Sequence, residues 1–342
     1  MGSSSDDALL PARLLRAAST PLVDLRSAEA FSRAHIHGSV NIPLAVLRRR
    51  SHELPPATDA AGVTLVVGPA DVDAAREEMH LWRLVDVLDA TPELWDQARD
   101  LGVLETGSVT HRFLWSPAPH LAAVCASVER WVPAAGAGRR ALDLGCGRGR
   151  DAIWLASRGW SVVGVDNQAV FLDHLRQFAE RERLSGLVAG VCLDLAAPGA
   201  HEALRSLLRP PLALVNMSRF MHRGLLDFVA GAMPAGCVLA VHHFEEGSVS
   251  LKSGRAIKPH DAQQCSLASG ELATRYAQLL PEVLVDESGS SADGGRPMCS
   301  YAARKPPLLG VTFCGGGQGG GGTGGAPHAG TEVRVRACLR VP

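Results

Sequence analysis

The sequence predicts an α/β protein of two domains, each a parallel sheet wrapped by helices. Three observations carry this expectation. Continuous apolar runs of strand length alternate with amphipathic stretches of helix length, the pattern of strand–helix–strand units. With 342 residues, 46% hydrophobic and 20% charged, the chain can fill two cores of ordinary size. Between Gly107 and Gly138 the alternation stops, in a helical stretch entered through prolines (SPAPHLAAVCASVERW) and a flexible joint (VPAAGAGRR).

Taken in order, residues 1–19 read as a disordered lead with a short helix. A buried strand from Leu22 to Leu25 follows, then a helix that Ser27 caps, then a loop through Gly38 into Val40 and Ile42. VTLVVG (63–68) is a second apolar strand, the stretch from Asp71 to Trp82 a helix, VDVLD (85–89) a third strand and 92–101 a further helix. These fill a first domain over residues 20–106, with 107–138 as a linker that contains a helix. A second domain, 139–306, repeats the alternation with strands at 140–144, 161–165, 187–193, 212–216 and 237–243, as in a doubly wound sheet. Residues 307–342 read as a disordered glycine-rich tail, since nine glycines between 315 and 325 supply no side chains for a core.

Composition narrows the function classes. A net charge of −1, from 34 basic and 35 acidic residues, gives no electrostatic footprint for nucleic acid or anionic membrane, so neither partner is expected. No apolar run approaches the roughly 20 residues of a bilayer span. The start, MGSSSDDALLPARLLRAAST, is not a secretory leader, because acids precede a short interrupted apolar run; an organelle-targeting role for Arg13 and Arg16 stays open. The eight cysteines are scattered without C-x-x-C spacing, so neither a zinc site nor a disulfide framework is indicated and a soluble, cytoplasmic protein is expected. No cysteine occurs before Cys125.

The chemistry concentrates in ALDLGCGRGRDAIWLASRGWSVVGVD, residues 141–166. Gly145, Gly147 and Gly149 lack the third glycine position of the dinucleotide fingerprint, and no Lys-Ser/Thr pair follows for a P-loop. Glycines at this spacing still let the backbone approach a ligand, and the helix beginning near Arg150 offers N–H groups to an anion, for which a carboxylate suffices. Asp143, just before the turn, can receive an ammonium group, and Asp166, closing the second strand, can accept hydrogen bonds from ribose hydroxyls. An amino acid joined to a ribose points to S-adenosylmethionine. Each feature also has a purely structural use, the turn in packing a helix on a sheet and Asp166 as a capping acid.

The same stretch resembles the first motif and following acid of class I S-adenosylmethionine-dependent methyltransferases, especially the small tellurite-resistance type. Further segments resemble that family in order: CLDL (192–195), ALVNMSRFMHR (213–223), MPAGCVLAVHHFEEGS with Ala235 replacing a glycine, LASGELATRY, and GGRPMCSYAARKP. The resemblance covers about residues 138–306 and implies a Rossmann-like, seven-stranded methyltransferase domain. It implies S-adenosylmethionine held by Asp143, Gly145, Cys146, Gly147, Gly149, Asp166, Asn167, Asp194 and Leu195, the last two meeting the adenine. It also implies a small-molecule acceptor such as a chalcogen oxyanion or a thiol. Arg219, His222 and Arg223 lie at the carboxyl end of a central strand, where they can reach an anionic acceptor or serve as solvated charges at a helix start. Consecutive His242 and His243 face opposite sides of a strand and cannot hold one metal between them, so no metal is expected.

LVDLRSAEAFSRAHIHGSVNIPL, followed by RSHELPP (50–56), resembles the rhodanese part of rhodanese–methyltransferase fusions. A sulfurtransferase needs a thiolate in the loop after its third main strand; here that loop reads VVGPADVD, with Gly68 near the place of the cysteine. A degenerate rhodanese is expected, serving packing, self-association or a protein partner. The whole reads as a methyltransferase of a small acceptor. The alternatives are a silent S-adenosylmethionine-binding sensor or scaffold and, further off, a sulfurtransferase.

Overall fold

The computed structural model describes residues 10–17, 19–57, 59–107, 113–132, 139–249, 266–293 and 296–307, with the side chains of 290–293 left aside. Of the lead expected over residues 1–19, residues 1–9 and 18 lie outside the described residues, as do 133–138 of the expected joint and the expected tail beyond 307.

The N-terminal part is built from α1 (Leu10–Ala17), β1 (Leu22–Asp24), α2 (Ala28–Arg33), β2 (His35–Ile36), β3 (Val40–Asn41), α3 (Leu47–Arg50), β4 (Val63–Val67), α4 (Val72–Glu78), β5 (Leu84–Asp89), α5 (Pro92–Asp100) and β6 (Leu104–Glu105). Its sheet is parallel throughout, in the order β3-β1-β4-β5, and β2 pairs with β6 in a separate ribbon. β4 is buried at every residue, which is why its sequence is a continuous apolar run: Val63, Leu65 and Val67 enter one core and Val66 the core on the other face. Ser27 caps α2 by accepting the Ala30 N–H at 3.2 Å, and Thr91 caps α5 with Pro92 at its first position. α1 packs into the same core through fully buried Leu14 and Ala17, and Arg13 forms a two-pronged bond with Asp86 at 2.9 and 2.8 Å. The helix expected from Asp71 to Trp82 is shorter. A 3-10 turn over Pro69–Asp71 leads into α4, which ends at Glu78, and Trp82 leaves the helix to place its indole N–H on the Pro55 carbonyl at 2.9 Å.

The C-terminal part comprises α6 (Pro119–Trp131), β7 (Arg140–Leu144), α7 (Arg150–Ser157), β8 (Ser161–Asp166), α8 (Ala169–Arg181), β9 (Val188–Cys192), α9 (Ala200–Arg205), β10 (Leu212–Ser218), α10 (Arg223–Ala232), β11 (Val238–Phe244), α11 (Glu271–Tyr276), β12 (Glu282–Asp293) and β13 (Arg296–Arg304). Seven strands form one sheet in the order β12-β13-β11-β10-β7-β8-β9; β13 alone runs against the others, so its pairings with β11 and β12 are antiparallel and the rest are parallel. All five strands read from the apolar runs are present within two residues of their expected ends. From β7 the chain steps outward through β8 and β9, then returns to β10 on the other side of β7. The order therefore reverses between β7 and β10, which opens a crevice at their carboxyl ends. The helix of the linker, α6, packs on this sheet through Leu121, Val124 and Val128.

The two parts meet along α8. Glu53, in a 3-10 turn after α3, is 3% exposed and accepts from Arg181 Nη2 at 2.5 Å and from Arg50 Nε and Nη2 at 2.8 and 2.6 Å. One buried carboxylate thus holds two guanidinium groups, one from each part. Removing it strands both cations in a desolvated seam. Glu53→Ala is expected to cost about 3 kcal/mol, read as a lowered midpoint in denaturant unfolding. Arg48→Ala, at an exposed pair with Glu78, is expected to leave the midpoint unchanged within error.

Candidate functional site

The crevice opens into a cavity of about 650 Å³. Its floor is the loop between β7 and α7. The Val165 carbonyl of β8 accepts the N–H groups of both Gly145 and Cys146, at 2.8 and 3.0 Å, which fastens the loop to the neighbouring strand. Two glycines show two separate needs. Gly145 has φ +73°, and a Cβ there would lie 2.5 Å from Phe220 Cβ, so close packing demands glycine. Gly147 has φ +53°, and a Cβ there would meet nothing within 4 Å; it borders open space on the cavity side.

Asp143 is the last polar group before this loop, 2% exposed, and it lines the cavity. Its Oδ1 accepts from Asn216 Nδ2 at 2.9 Å, while its Oδ2 is buried with no hydrogen bond to the protein. Burial first, and then the neighbouring Asp151 carboxylate, push its pKa well above the usual carboxylate range; Asn216 and the Ala152 N–H act the other way. Asn216 also donates to Asp151 Oδ2 at 3.3 Å and accepts from Ser218 Oγ at 3.4 Å, with His120 Nε2 at 3.2 Å from its Oδ1. His120, on α6, stacks on His242 with ring centroids 5.3 Å apart, and burial holds it well below its ordinary pKa. His242 lines the cavity and its Nδ1 lies 3.0 Å from Ser300 Oγ. An ammonium group at Asp143 Oδ2 would satisfy the orphaned oxygen and favour its charged form.

Asp166 plays a different part. Its Oδ2 accepts the Gly147 N–H at 2.9 Å and its Oδ1 the Gln168 N–H at 2.9 Å, so the carboxylate holds the glycine loop while keeping further lone pairs for hydroxyl donors. It does not line the cavity. Neither do Asn167, whose Oδ1 accepts from Gln168 at 3.2 Å, exposed Asp194, whose Oδ1 accepts the Ala196 N–H at 3.0 Å, and Leu195, buried in the core. The structure thus brings Asp143, Gly145, Cys146, Gly147 and Gly149 together around one space and sets the other four beside it at the ends of β8 and β9. Cys146 is no nucleophile, since burial pushes its thiol far up.

The three acceptor-side candidates separate likewise. Arg219 lines the cavity, with a left-handed φ of +58° that its N–H stabilises by donating to the His242 carbonyl at 2.7 Å. His222 instead caps α10, its Nδ1 accepting the Leu225 N–H at 3.0 Å. Arg223 pairs with Glu271 at 2.7 and 2.8 Å and donates to the Ser266 carbonyl, tying α10 to the segment before α11. Sequence reasoning missed Asp151, Asn216, His120 and Trp115. The available cue was Asn216, a polar residue inside the otherwise apolar run LALVNMS.

In the N-terminal part, Gly68 stands at the end of β4 where a sulfurtransferase would carry its thiol. A Cβ at that position would lie 3.0 Å from Asp71 Oδ2, so the loop presents a carboxylate where a thiolate would need positive potential.

Residues 141–203 match a family model described as a methyltransferase domain, and residues 10–84 one described as a rhodanese-like domain. The chain carries both domains. It is 26% identical over 159 residues to an uncharacterized protein, UNK4.09, of Schizosaccharomyces pombe; the match covers 42% of this chain and 45% of that protein, so the chain spans less than half the length of that curated relative. Among solved structures, TehB from Haemophilus influenzae is similar at 17% identity and a TM-score of 0.38, over 53% of this chain and 61% of that one. A methyltransferase from Geobacter sulfurreducens, solved in complex with S-adenosyl-L-homocysteine, is similar at 12% identity and a TM-score of 0.40, over 55% and 92%. Among the described residues no helix is long and apolar enough to cross a membrane.

Two outcomes follow from the floor of the cavity. Gly147→Ala is expected to fold with a loss of about 1 kcal/mol for the left-handed backbone, while its new methyl group enters the ligand space and lowers affinity for any ligand seated on the loop, measured by calorimetry against wild type. Asp143→Asn is expected to stabilise the free protein. The folded-state pKa of Asp143 lies above its unfolded value of 3.8, so the wild type loses stability as pH rises through that interval, and the amide does not. Thermal midpoints of the two proteins at pH 5 and pH 8 should therefore diverge with rising pH.

Proposed function

We propose that the chain transfers the methyl group of S-adenosylmethionine to a small acceptor, with a rhodanese-like domain that has no sulfurtransferase activity. The observation that carries this reading is the unpartnered buried oxygen of Asp143 before a glycine loop, at the switch point of the sheet to which the residues matching a methyltransferase domain belong. When bound, S-adenosylmethionine supplies an electrophilic methyl on a sulfonium that departs as a neutral thioether.

The rest is positioning by this chain's own groups. Asp143 Oδ2 receives the ammonium of the methionyl end, and the loop amides with the amino end of α7 receive its carboxylate. Asp166, anchored on Gly147, takes ribose hydroxyls with its remaining lone pairs, and Asp194 with Leu195 marks the adenine end. On the far side, Ser218, Arg219 and His242 face the space left for the acceptor, Arg219 suiting a chalcogen oxyanion or thiolate. Such an acceptor is nucleophilic as it stands. An acceptor that carries a proton on its attacking atom would pass it to His242. Holding the two reactants in line and out of water supplies several kcal/mol without a covalent enzyme intermediate.

Calorimetry with S-adenosylmethionine and S-adenosylhomocysteine tests the donor site: wild type is expected to bind both and Asp143→Asn neither. Because the ammonium favours ionised Asp143, binding should release a proton and tighten as pH rises from 6 towards 8, with no such slope in the variant. Binding of equal strength by wild type and Asp143→Asn would reject the site. Labelled-methyl transfer to selenite, tellurite, hydrogen sulfide and small thiols separates an enzyme from a silent binder, and no thiocyanate is expected from thiosulfate and cyanide.

A further inference from the structure

The rhodanese-like domain does not merely sit beside the cavity. His52, Pro56 and Asp59 line it, across from the glycine loop. On the loop side the charge of Arg148 acts on His52, and its guanidinium lies over the ring of Phe171 at 5.4 Å, in the first turn of α8, the helix that follows the acid closing β8. The acceptor side, with Ser218, Arg219 and His242, is formed by other strands. Because the charge of Arg148, in the glycine loop, acts on His52, this wall adjoins the loop on which the donor is read.

Of the two polar groups in that wall, Asp59 accepts the Ala61 N–H at 2.9 Å and His52 is the other. The His52 side chain is 11% exposed; neither ring nitrogen makes a hydrogen bond of full geometry, the one weak contact being to the Arg49 backbone, and the nearest acid, Glu53 Oε1, stands 3.9 Å from Nε2. The ring is fixed from behind by His174, stacked at 5.9 Å, and Phe178, edge-on at 6.0 Å. Its backbone is fixed by the Glu53 clamp on Arg181 and Arg50. Burial, assisted by Arg148 and His174 against Glu53 and the Arg49 backbone, pushes its pKa down to about 4, so the ring is neutral at physiological pH. A neutral imidazole offers one N–H donor and one bare lone pair, the complement of a hydroxyl.

We infer that the rhodanese-like domain completes the donor-binding site of the methyltransferase domain, with His52 as a ligand-contacting residue that hydrogen-bonds a hydroxyl of the bound nucleoside. This rests on the methyl-donor reading above and assigns the thiol-less domain a binding role. The two domains then form one enzyme, and His52, Pro56 and Asp59 act as a preformed wall over the donor.

The test is calorimetry with S-adenosylhomocysteine on the full chain, so no acceptor need be known. His52→Ala and His52→Leu are expected to bind about five- to tenfold more weakly than wild type. His52→Gln, which keeps a donor and an acceptor, should recover most of that loss, which a purely structural role for the ring would not produce. Wild-type affinity in both His52→Ala and His52→Leu would overturn the inference. Should those two variants unfold, wild type labelled with ¹⁵N at histidine decides: the His52 ring signals shift on saturation with S-adenosylhomocysteine if the ring touches it, and stay in place if it does not. The two readings fail distinguishably. Absence of binding by wild type removes the donor site and this wall together, whereas binding lost in Asp143→Asn but unchanged in His52→Ala leaves the donor site and rejects the wall.

Discussion

Buried Asp143 and half-buried Asp151 share one amide, Asn216 Nδ2, at 2.9 and 3.3 Å. Much of the site follows from that arrangement. Burial first, and the Asp151 carboxylate second, hold Asp143 above its ordinary range, and its Oδ2 has no hydrogen-bond partner. The resulting instability is local and is tolerated because the surrounding sheet fixes every participant: β7 and β10 pair in parallel with Asp143 opposite Asn216, and Asp151 also accepts the Ala118 N–H at 3.0 Å. A cationic ligand would relieve the repulsion, which makes the pair a poised receptor rather than a packing defect.

The second constraint is the seam between the domains. A carboxylate as buried as Glu53 is stable only with cations beside it, and the cations come from both halves of the molecule. This fixes the turn that carries His52 against α8, and hence over the glycine loop. The same seam explains how a rhodanese-like fold without its thiol keeps a use. Its parallel sheet and caps remain intact, and on the proposed reading the part that touches a ligand is the short turn bordering its neighbour.

Much of the fold was legible in the sequence. β4 and β10 are buried almost throughout and read as unbroken apolar runs; Ser27 announced a helix start and provides its cap. The helix after Gly68 was read too long because its helical periodicity continues through Trp82, whereas the indole is drawn to Pro55, a residue of a different segment. Of the site, the glycine loop and Asp143 were legible because they are contiguous in the chain. Arg219, His222 and Arg223 could not be told apart by sequence, since which of three neighbouring cationic or basic groups faces a cavity depends on the turn between β10 and α10, and only Arg219 does.

The sequence by itself determined the strands and helices, the glycine turn with the acid before it, and the absence of a thiol in the first domain, because each is a local property of residue type and period. Only the tertiary structure decided that Asp143 meets an amide 73 residues later, that His120 of the linker helix reaches the same amide, and that His52 overlooks the loop from another domain. The reason is physical: hydrophobic periodicity specifies which face of an element is buried, but which elements then become neighbours, and in what register, is set by the packing of the whole sheet.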